Sequence, residues 1–293
     1  MVRTLIETDR RIPDALRVAF GLCQRPHRRP ASTTSEPMDC DEPVAPGGLR
    51  MVFESCYIRD HDEDAHFGHA EAGVVGVADG VGGYRDRVDA SAFARGLMNN
   101  AYMEVVTAAP GTHVCPRTLL ERAHQATAAA STAVIVSLAG RTLRWASVGD
   151  SGFAVFRGGR ILRRSRAQQH HFNCPYQLSS SPDGIRVADA AAVGEVPAKE
   201  GDVVVVGTDG LFDNVTDDEL ERIVRLGTAL GFSPRHLAEV MAGFAFEAAR
   251  CADRDTPFSV LARSDRGEAF PACGKPDDIT VVVAYIVGAS HYV

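Results

Sequence analysis

Seven short β-branched runs, Val52–Ile58, Gly73–Ala78, Thr132–Leu138, Leu143–Val148, Phe153–Arg157, Asp202–Gly207 and Ile279–Val287, are bounded by Gly, Asp and Ser and interrupted by few helical stretches. That ordering constrains the fold more than any other feature of the chain. A doubly wound parallel sheet needs a helix between most successive strands, and here several strands follow one another at hairpin spacing. Helical periodicity is confined to Asp89–Val106, with Phe93, Leu97, Ala101 and Val105 on one face, to Arg117–Ala130, with Leu119, Leu120, Ala123 and Ala126, and to two later stretches. Thr216 and Glu219 have the spacing of a capping box ahead of Leu220, Ile223 and Val224, and Ser233-Pro234 opens a helix running to about Arg250. The pattern predicts an α+β fold in which helices lie on antiparallel sheets.

The 293 residues are 45% apolar, enough for a sizeable core and too much for general disorder. The longest apolar run, Ile279–Val287, is half the ~20 residues a bilayer requires, so no membrane span is expected. A net charge of −7 lacks the basic footprint of a nucleic-acid binder. Seven cysteines without a C-x-x-C pair argue against a disulfide framework and a zinc ribbon, and point to a reducing compartment. Charge is uneven along the chain: residues 1–35 hold seven Arg, no Lys and three acids, with Leu5, Ile12, Leu16 and Phe20 at helical spacing. Such a start resembles an organelle transit peptide, mitochondrial before plastid, although its three acids equally suit a solvated tail in a cytoplasmic protein. Residues 1–47 therefore read as a basic tail with a Pro- and Gly-rich linker, and 48–293 as one domain.

Carboxylates fall at the ends of the apolar strands. Asp79 ends one and is followed by Gly80, Gly82 and Gly83; Asp150 ends another; Asp209 ends a third, with Asp213 four residues on; Asp277 and Asp278 open the last. Upstream, Asp60, Asp62, Glu63 and Asp64 cluster behind Arg59. A carboxylate at an apolar strand tip is costly unless something compensates its desolvation, and one such acid is ordinarily a turn former. Four strand ends bearing Asp beside Gly or Asp suit oxygen ligands for a hard divalent cation instead. His61, His66 and His69 lie near the cluster but form no H-E-x-x-H, Cys23 and Arg29 lack a preceding strand, and Arg85 replaces the third glycine of a dinucleotide loop. Gly207 stands where a haloacid-dehalogenase nucleophile would precede Asp209 by two residues, which removes a phosphoaspartate route.

In order, Arg59-x-x-x-Glu63-Asp64, GVADGVGG, the Ser131-Thr132 strand, Gly149-Asp150-Ser151, Thr208-Asp209-Gly210 with Asp213, and Asp277-Asp278-Ile279-Thr280 resemble the signature of the metal-dependent protein phosphatases, protein phosphatase 2C, across about residues 55–287. DGVGGYRD, QQHHFNCPYQL and GKPDDITVVVA resemble its compact, organellar-type branch. The resemblance implies two packed antiparallel β-sheets flanked by helix pairs. It implies Mg²⁺ or Mn²⁺ as cofactor, with Asp79 bridging two ions, Glu63 and the Gly80 carbonyl completing one site, and Asp209 and Asp277 the other. Asp150 and Asp213, with Asp209, match a weaker third site, and Arg59 a phosphate binder. It further implies that hydroxide bridging the two ions attacks phosphoserine or phosphothreonine of phosphoprotein substrates. Val81 stands where many relatives carry a His that protonates the leaving oxygen, which leaves a metal-bound water or His61 for that task. Ala129-Ala130 replace the usual Gly-Ser.

The expectation is therefore a metal-dependent serine/threonine protein phosphatase acting as a monomer. Two alternatives stand beside it: a catalytically weak phosphoprotein-binding domain of the same fold, and a phosphatase for small metabolites. Ser165–Glu195 is the expected loop region shaping substrate access.

Overall fold

The computed structural model describes residues 48–81, 90–109, 111–125, 130–179 and 185–289, so the basic start, the linker and the Gly82-Gly83 turn lie outside the described residues. Strand β1 (Leu49–Ile58) precedes β2 (Asp64–His69), β3 (Val74–Asp79), helix α1 (Ala90–Thr107) and helix α2 (Pro116–Gln125). A short β4 (Ala130–Ser131) leads into β5 (Ala133–Ala139), β6 (Thr142–Val148), β7 (Gly152–Arg157) and β8 (Arg160–Arg164). Then come β9 (Gln169–His171), β10 (Cys174–Pro175), β11 (Leu178–Ser179), the single turn α3 (Val187–Ala190), β12 (Ala192–Pro197) and β13 (Val203–Gly207). The chain closes with α4 (Asp209–Phe212), α5 (Asp217–Ala229), α6 (Pro234–Ala249), α7 (Pro257–Arg266) and β14 (Ile279–Gly288).

Two five-stranded sheets result, in the orders β1-β14-β13-β7-β8 and β12-β6-β5-β3-β2, with antiparallel pairing throughout. The residue pattern explains the layering. In β5, Val134 and Val136 pack between the sheets with Val75, Val77, Phe153, Val204, Val206 and Val282. The alternate residues Ala133 and Ile135 pack beneath the helices with Phe93, Leu97 and Leu120. Strands buried on both faces read as continuous apolar runs, which is why they stand out in the sequence. Each fully buried Val or Phe of these layers contributes about 1.5–3 kcal/mol relative to exposure.

On the other side α6 lies against β1 and β14, and α5 against α6. The Thr216 capping box forms as expected: Glu219 N donates to Thr216 Oγ1 at 3.3 Å and Thr216 N to the Glu219 carboxylate at 3.0 Å. One boundary differs from expectation. The helix predicted to reach Ala130 is described only to Gln125, and Ala130 pairs with Ser179 in β4–β11. Pairing with the chain beyond β10 outweighs alanine's helix preference there. Edge strands β8 and β12, and helix α7, are additions. Their sequences, RILRR and AVGEVP for the strands, carry no two-sided apolar run because their side chains are exposed or half-buried on both faces.

Candidate metal and phosphate site

The sheet ladders set the strand-end acids side by side. β2 and β3 register Asp64 opposite Asp79, and one step on Gly80 N donates to the Glu63 carbonyl at 3.1 Å. Glu63, Asp79 and Gly80 are thereby fixed as neighbours. A Cβ on Gly80 would lie 2.2 Å from the Ala90 carbonyl, so only glycine admits the start of α1 this close. The Asp79 carbonyl accepts from Ser131 Oγ at 2.6 Å and Thr132 N at 2.9 Å. Thr132 Oγ1 lies 2.7 Å from Ser151 Oγ, joining this strand end to the turn that carries Asp150.

In the second sheet β13 ends at Gly207, two residues before Asp209, and one turn later Asp213 N donates to the Asp209 carbonyl at 2.7 Å. Asp278, at the start of β14, accepts from four successive backbone N–H groups, those of Asp60, His61, Asp62 and Glu63, at 2.5–3.1 Å. Burial raises the Asp278 carboxyl, but these donors more than offset that and hold it below its ordinary value. Asp278 thus ties the RDHDED loop of one strand end to the other. Asp64 is buried and its Oδ2 accepts from Thr208 Oγ1 and Thr280 Oγ1, both at 2.7 Å. Both residues are braces behind the site, and neither role is visible from spacing.

Several carboxyls in the cluster titrate well above the ordinary range. Burial, then the charges of Asp209, Asp64, Asp277 and Asp150, raises Asp79. Burial and then Asp209 push Asp150 to about 6. Asp277 rises to about 6 for the same two reasons, against the pull of Lys275. Asp213 is pushed by burial to about 7 although Lys275 opposes the shift. Carboxylates gathered in this way need a cation. One is present in the chain: Lys275 Nζ pairs with Asp209 Oδ2, and lies 3.1 Å from both Asp213 Oδ2 and Asp277 Oδ2. Burial disfavours that ammonium, but the three carboxylates more than compensate and raise its pKa.

The donor set fits a hard divalent ion. It is made of oxygens alone, and Asp150 Oδ1 and Asp209 Oδ1, like Asp64 Oδ1 behind them, are buried without a hydrogen-bond partner. Among the described residues no three Asp, Glu, His or Cys side chains close on one point as a complete metal shell, and the Lys275 ammonium lies among three of the acids. Arg59 is 60% exposed, its Nε 3.3 Å from Asp62 Oδ1. His61 is also exposed, with Nδ1 3.8 Å from Asp277 Oδ1. His66 is bound to Ser55 at 2.9 Å and His69 to the Ala72 amide at 3.1 Å, so both are occupied by local structure.

No protein-family model matches the chain. A rice (Oryza sativa subsp. japonica) protein named as protein phosphatase 2C 24 is 54% identical over 310 residues, spanning 97% of this chain and 98% of its own length. The chain belongs to the protein phosphatase 2C family. A second relative, named as protein phosphatase 2C 55 of Arabidopsis thaliana, is 40% identical over 83% of this chain and 53% of its own. The solved structure of the photosystem II phosphatase PBCP superposes with a TM-score of 0.69 at 33% identity, covering 80% of this chain and 98% of that one. The catalytic domain of the serine/threonine phosphatase PstP shares the fold at 16% identity, with a TM-score of 0.55 over 82% of this chain. The two-sheet sandwich is accordingly the protein phosphatase 2C fold, and the chain is a metal-dependent serine/threonine protein phosphatase of that family.

Of the residues that the motifs single out, the fold joins Glu63, Asp79 and Gly80 at one strand end and Asp209, Asp213 and Asp277 at the other. Asp150 reaches the group through its repulsion with Asp209 and is steadied by Gln169 Nε2 at 2.9 Å. Lys275 escaped attention in the sequence. Its signal is composition: the whole chain contains two lysines, Lys199 and Lys275, and one of them directly precedes Pro276 and the Asp277-Asp278 pair.

Proposed function

We propose that this protein phosphatase 2C hydrolyses phosphoserine and phosphothreonine in phosphoproteins with two divalent ions, Mg²⁺ or Mn²⁺. Asp79 would be a ligand to both, with Glu63 and the Gly80 carbonyl helping to hold one ion and Asp209 and Asp277 the other. The observation that carries this reading is the set of buried carboxyls at strand ends from both sheets, with unpartnered oxygens at Asp150 and Asp209. When bound, the ions supply an acidified water and neutralise charge on the phosphoryl oxygens.

The chain's own residues do the rest. Arg59 offers its guanidinium fork to the substrate phosphate, exchanging Asp62 for it. Asp62 does not lose its counter-ion in that exchange, because Arg95 Nη2 holds its other oxygen at 2.7 Å. His61 stands beside Asp277, where it can give a proton to the departing Ser or Thr oxygen, the task that Val81 cannot perform. Release of phosphate from a phosphothreonine peptide, measured in EDTA, Mg²⁺ or Mn²⁺ for the wild type and Asp79→Asn, tests the assignment. Metal-dependent turnover lost in the variant is expected. Turnover that persists in Asp79→Asn within tenfold of the wild type would overturn it.

A further inference from the structure

The backbone around Lys275 is built to deliver one ammonium to one place. Asn214 is fully buried and its side chain takes both polar groups of Lys275: Lys275 N donates to Asn214 Oδ1 at 2.8 Å, and Asn214 Nδ2 donates to the Lys275 carbonyl at 2.9 Å. The same amide nitrogen reaches the Gly210 carbonyl at 2.9 Å. Asn214 therefore locks the Lys275 backbone to the turn that carries Asp209 and Asp213. On the preceding side Gly274 N donates to the Cys251 carbonyl at 3.1 Å, and a Cβ there would meet the Ala248 carbonyl at 2.2 Å, so α6 pins the loop as well.

The side chain then has one destination. Its Nζ pairs with Asp209 and sits 3.1 Å from Asp213 and from Asp277, with 17% of the side chain exposed. Lysine suits the task where arginine does not. A compact ammonium with three donors fills a cation-sized hole among carboxylates, whereas a planar guanidinium is too broad. The chain otherwise uses arginine almost exclusively, with two lysines among 31 basic residues.

We propose that Lys275 is a resident cation that occupies the place of a third metal beside Asp209 and Asp213, so that the protein works with two metal ions instead of three. The inference rests on the two-metal reading above and departs from the expectation that Asp150 and Asp213 serve a third ion. Asp213 becomes the permanent partner of the ammonium. Asp209 and Asp277 share the ammonium with a neighbouring metal site, and screening of the acid cluster persists when metal is scarce.

Equilibrium dialysis of the full chain against Mn²⁺, with protein-bound metal counted by elemental analysis, reads the stoichiometry directly. The wild type is expected to hold two ions per chain, and Lys275→Met, which keeps the side-chain length and the Asn214 clamp, to hold three. In EDTA the Lys275→Met variant should melt roughly 5 °C or more below the wild type, and saturating Mn²⁺ should close most of that gap. Asp213→Asn in the wild-type background keeps the test decisive if the Lys275 variant fails to fold. Its count stays at two if Asp213 serves the ammonium, and falls from the wild-type value if Asp213 holds a metal. A wild type binding three ions, or a Lys275→Met variant with an unchanged count and an unchanged melt in EDTA, overturns the proposal while leaving the two-metal reading intact. A wild type binding fewer than two overturns both.

Discussion

At the scale of single residues, the site is a contest between carboxylates that repel and the few groups that reconcile them. Asp209 lies at the centre, and after burial its charge helps to raise the carboxyls of Asp79, Asp150, Asp213 and Asp277. Asp209→Asn is accordingly expected to lower kcat/KM at least a hundredfold, the order of loss typical when a group stabilising the transition-state charge is removed, as measured by phosphopeptide turnover in Mn²⁺. His61 is checked by substrate choice. His61→Gln should slow hydrolysis of a phosphoserine peptide about tenfold to a hundredfold while barely altering p-nitrophenyl phosphate, whose leaving group departs without a proton. Equal slowing of both substrates would remove His61 from the proton-transfer role. The acids proposed as metal ligands were legible as a set, since a single Asp beside Gly at a strand tip is ordinarily a turn former but four such strand ends in one chain suit a hard cation. Asp64, Asp278 and Lys275 were not, because each acts on a partner far away in sequence. Asp278 caps the 60–63 loop, Asp64 joins Thr208 to Thr280, and Lys275 reaches Asp209 and Asp213.

At the scale of elements, the site depends on where strands and their following turns stop. Asp278 is the clearest joint. Its four backbone donors arrange residues 60–63, and so place both Arg59 and Glu63. Asp278→Asn keeps the shape but replaces a charged acceptor with a neutral amide, and charge-assisted hydrogen bonds are worth about 1.5–3 kcal/mol each. The expected result is a destabilised fold, read from urea midpoints at unchanged slope, together with weaker Mn²⁺ binding in dialysis. Thr216→Ala, by contrast, removes only the α5 cap and should cost about 1 kcal/mol without touching metal affinity or turnover. The two-sided strands β3, β5, β7, β13 and β14 could be read from the chain as apolar runs. β2, with its sequence DAHFGH, could not, because Asp64, His66 and His69 interrupt its apolar pattern, the first bracing the site and the two histidines bonding locally.

For the whole molecule, the acid cluster makes stability depend on pH and metal together. Asp150, Asp213 and Asp277 titrate above the ordinary carboxyl value when folded, so the fold favours their protonated forms. Their contribution is present at pH below the ordinary value and is lost as pH rises through about 6 to 7. Asp278 works the other way: its folded value is lowered, so its contribution is lost as pH falls below the ordinary carboxyl range. In EDTA the Tm should decline from pH 5 to pH 8, and saturating Mn²⁺ should flatten that decline by supplying the missing positive charge. A Tm in EDTA that rises over that interval would contradict the assignment. The amino-acid sequence by itself determined the alternation of apolar strands and helices, the two-layer class, the family signature and the oxygen-rich character of the site, because these follow from period, local turn chemistry and residue type. Only the tertiary structure decided which acids face a cation and which act as braces, and that an ammonium from the loop before β14 sits among them. Those facts depend on the register between strands far apart along the chain, which no local pattern encodes.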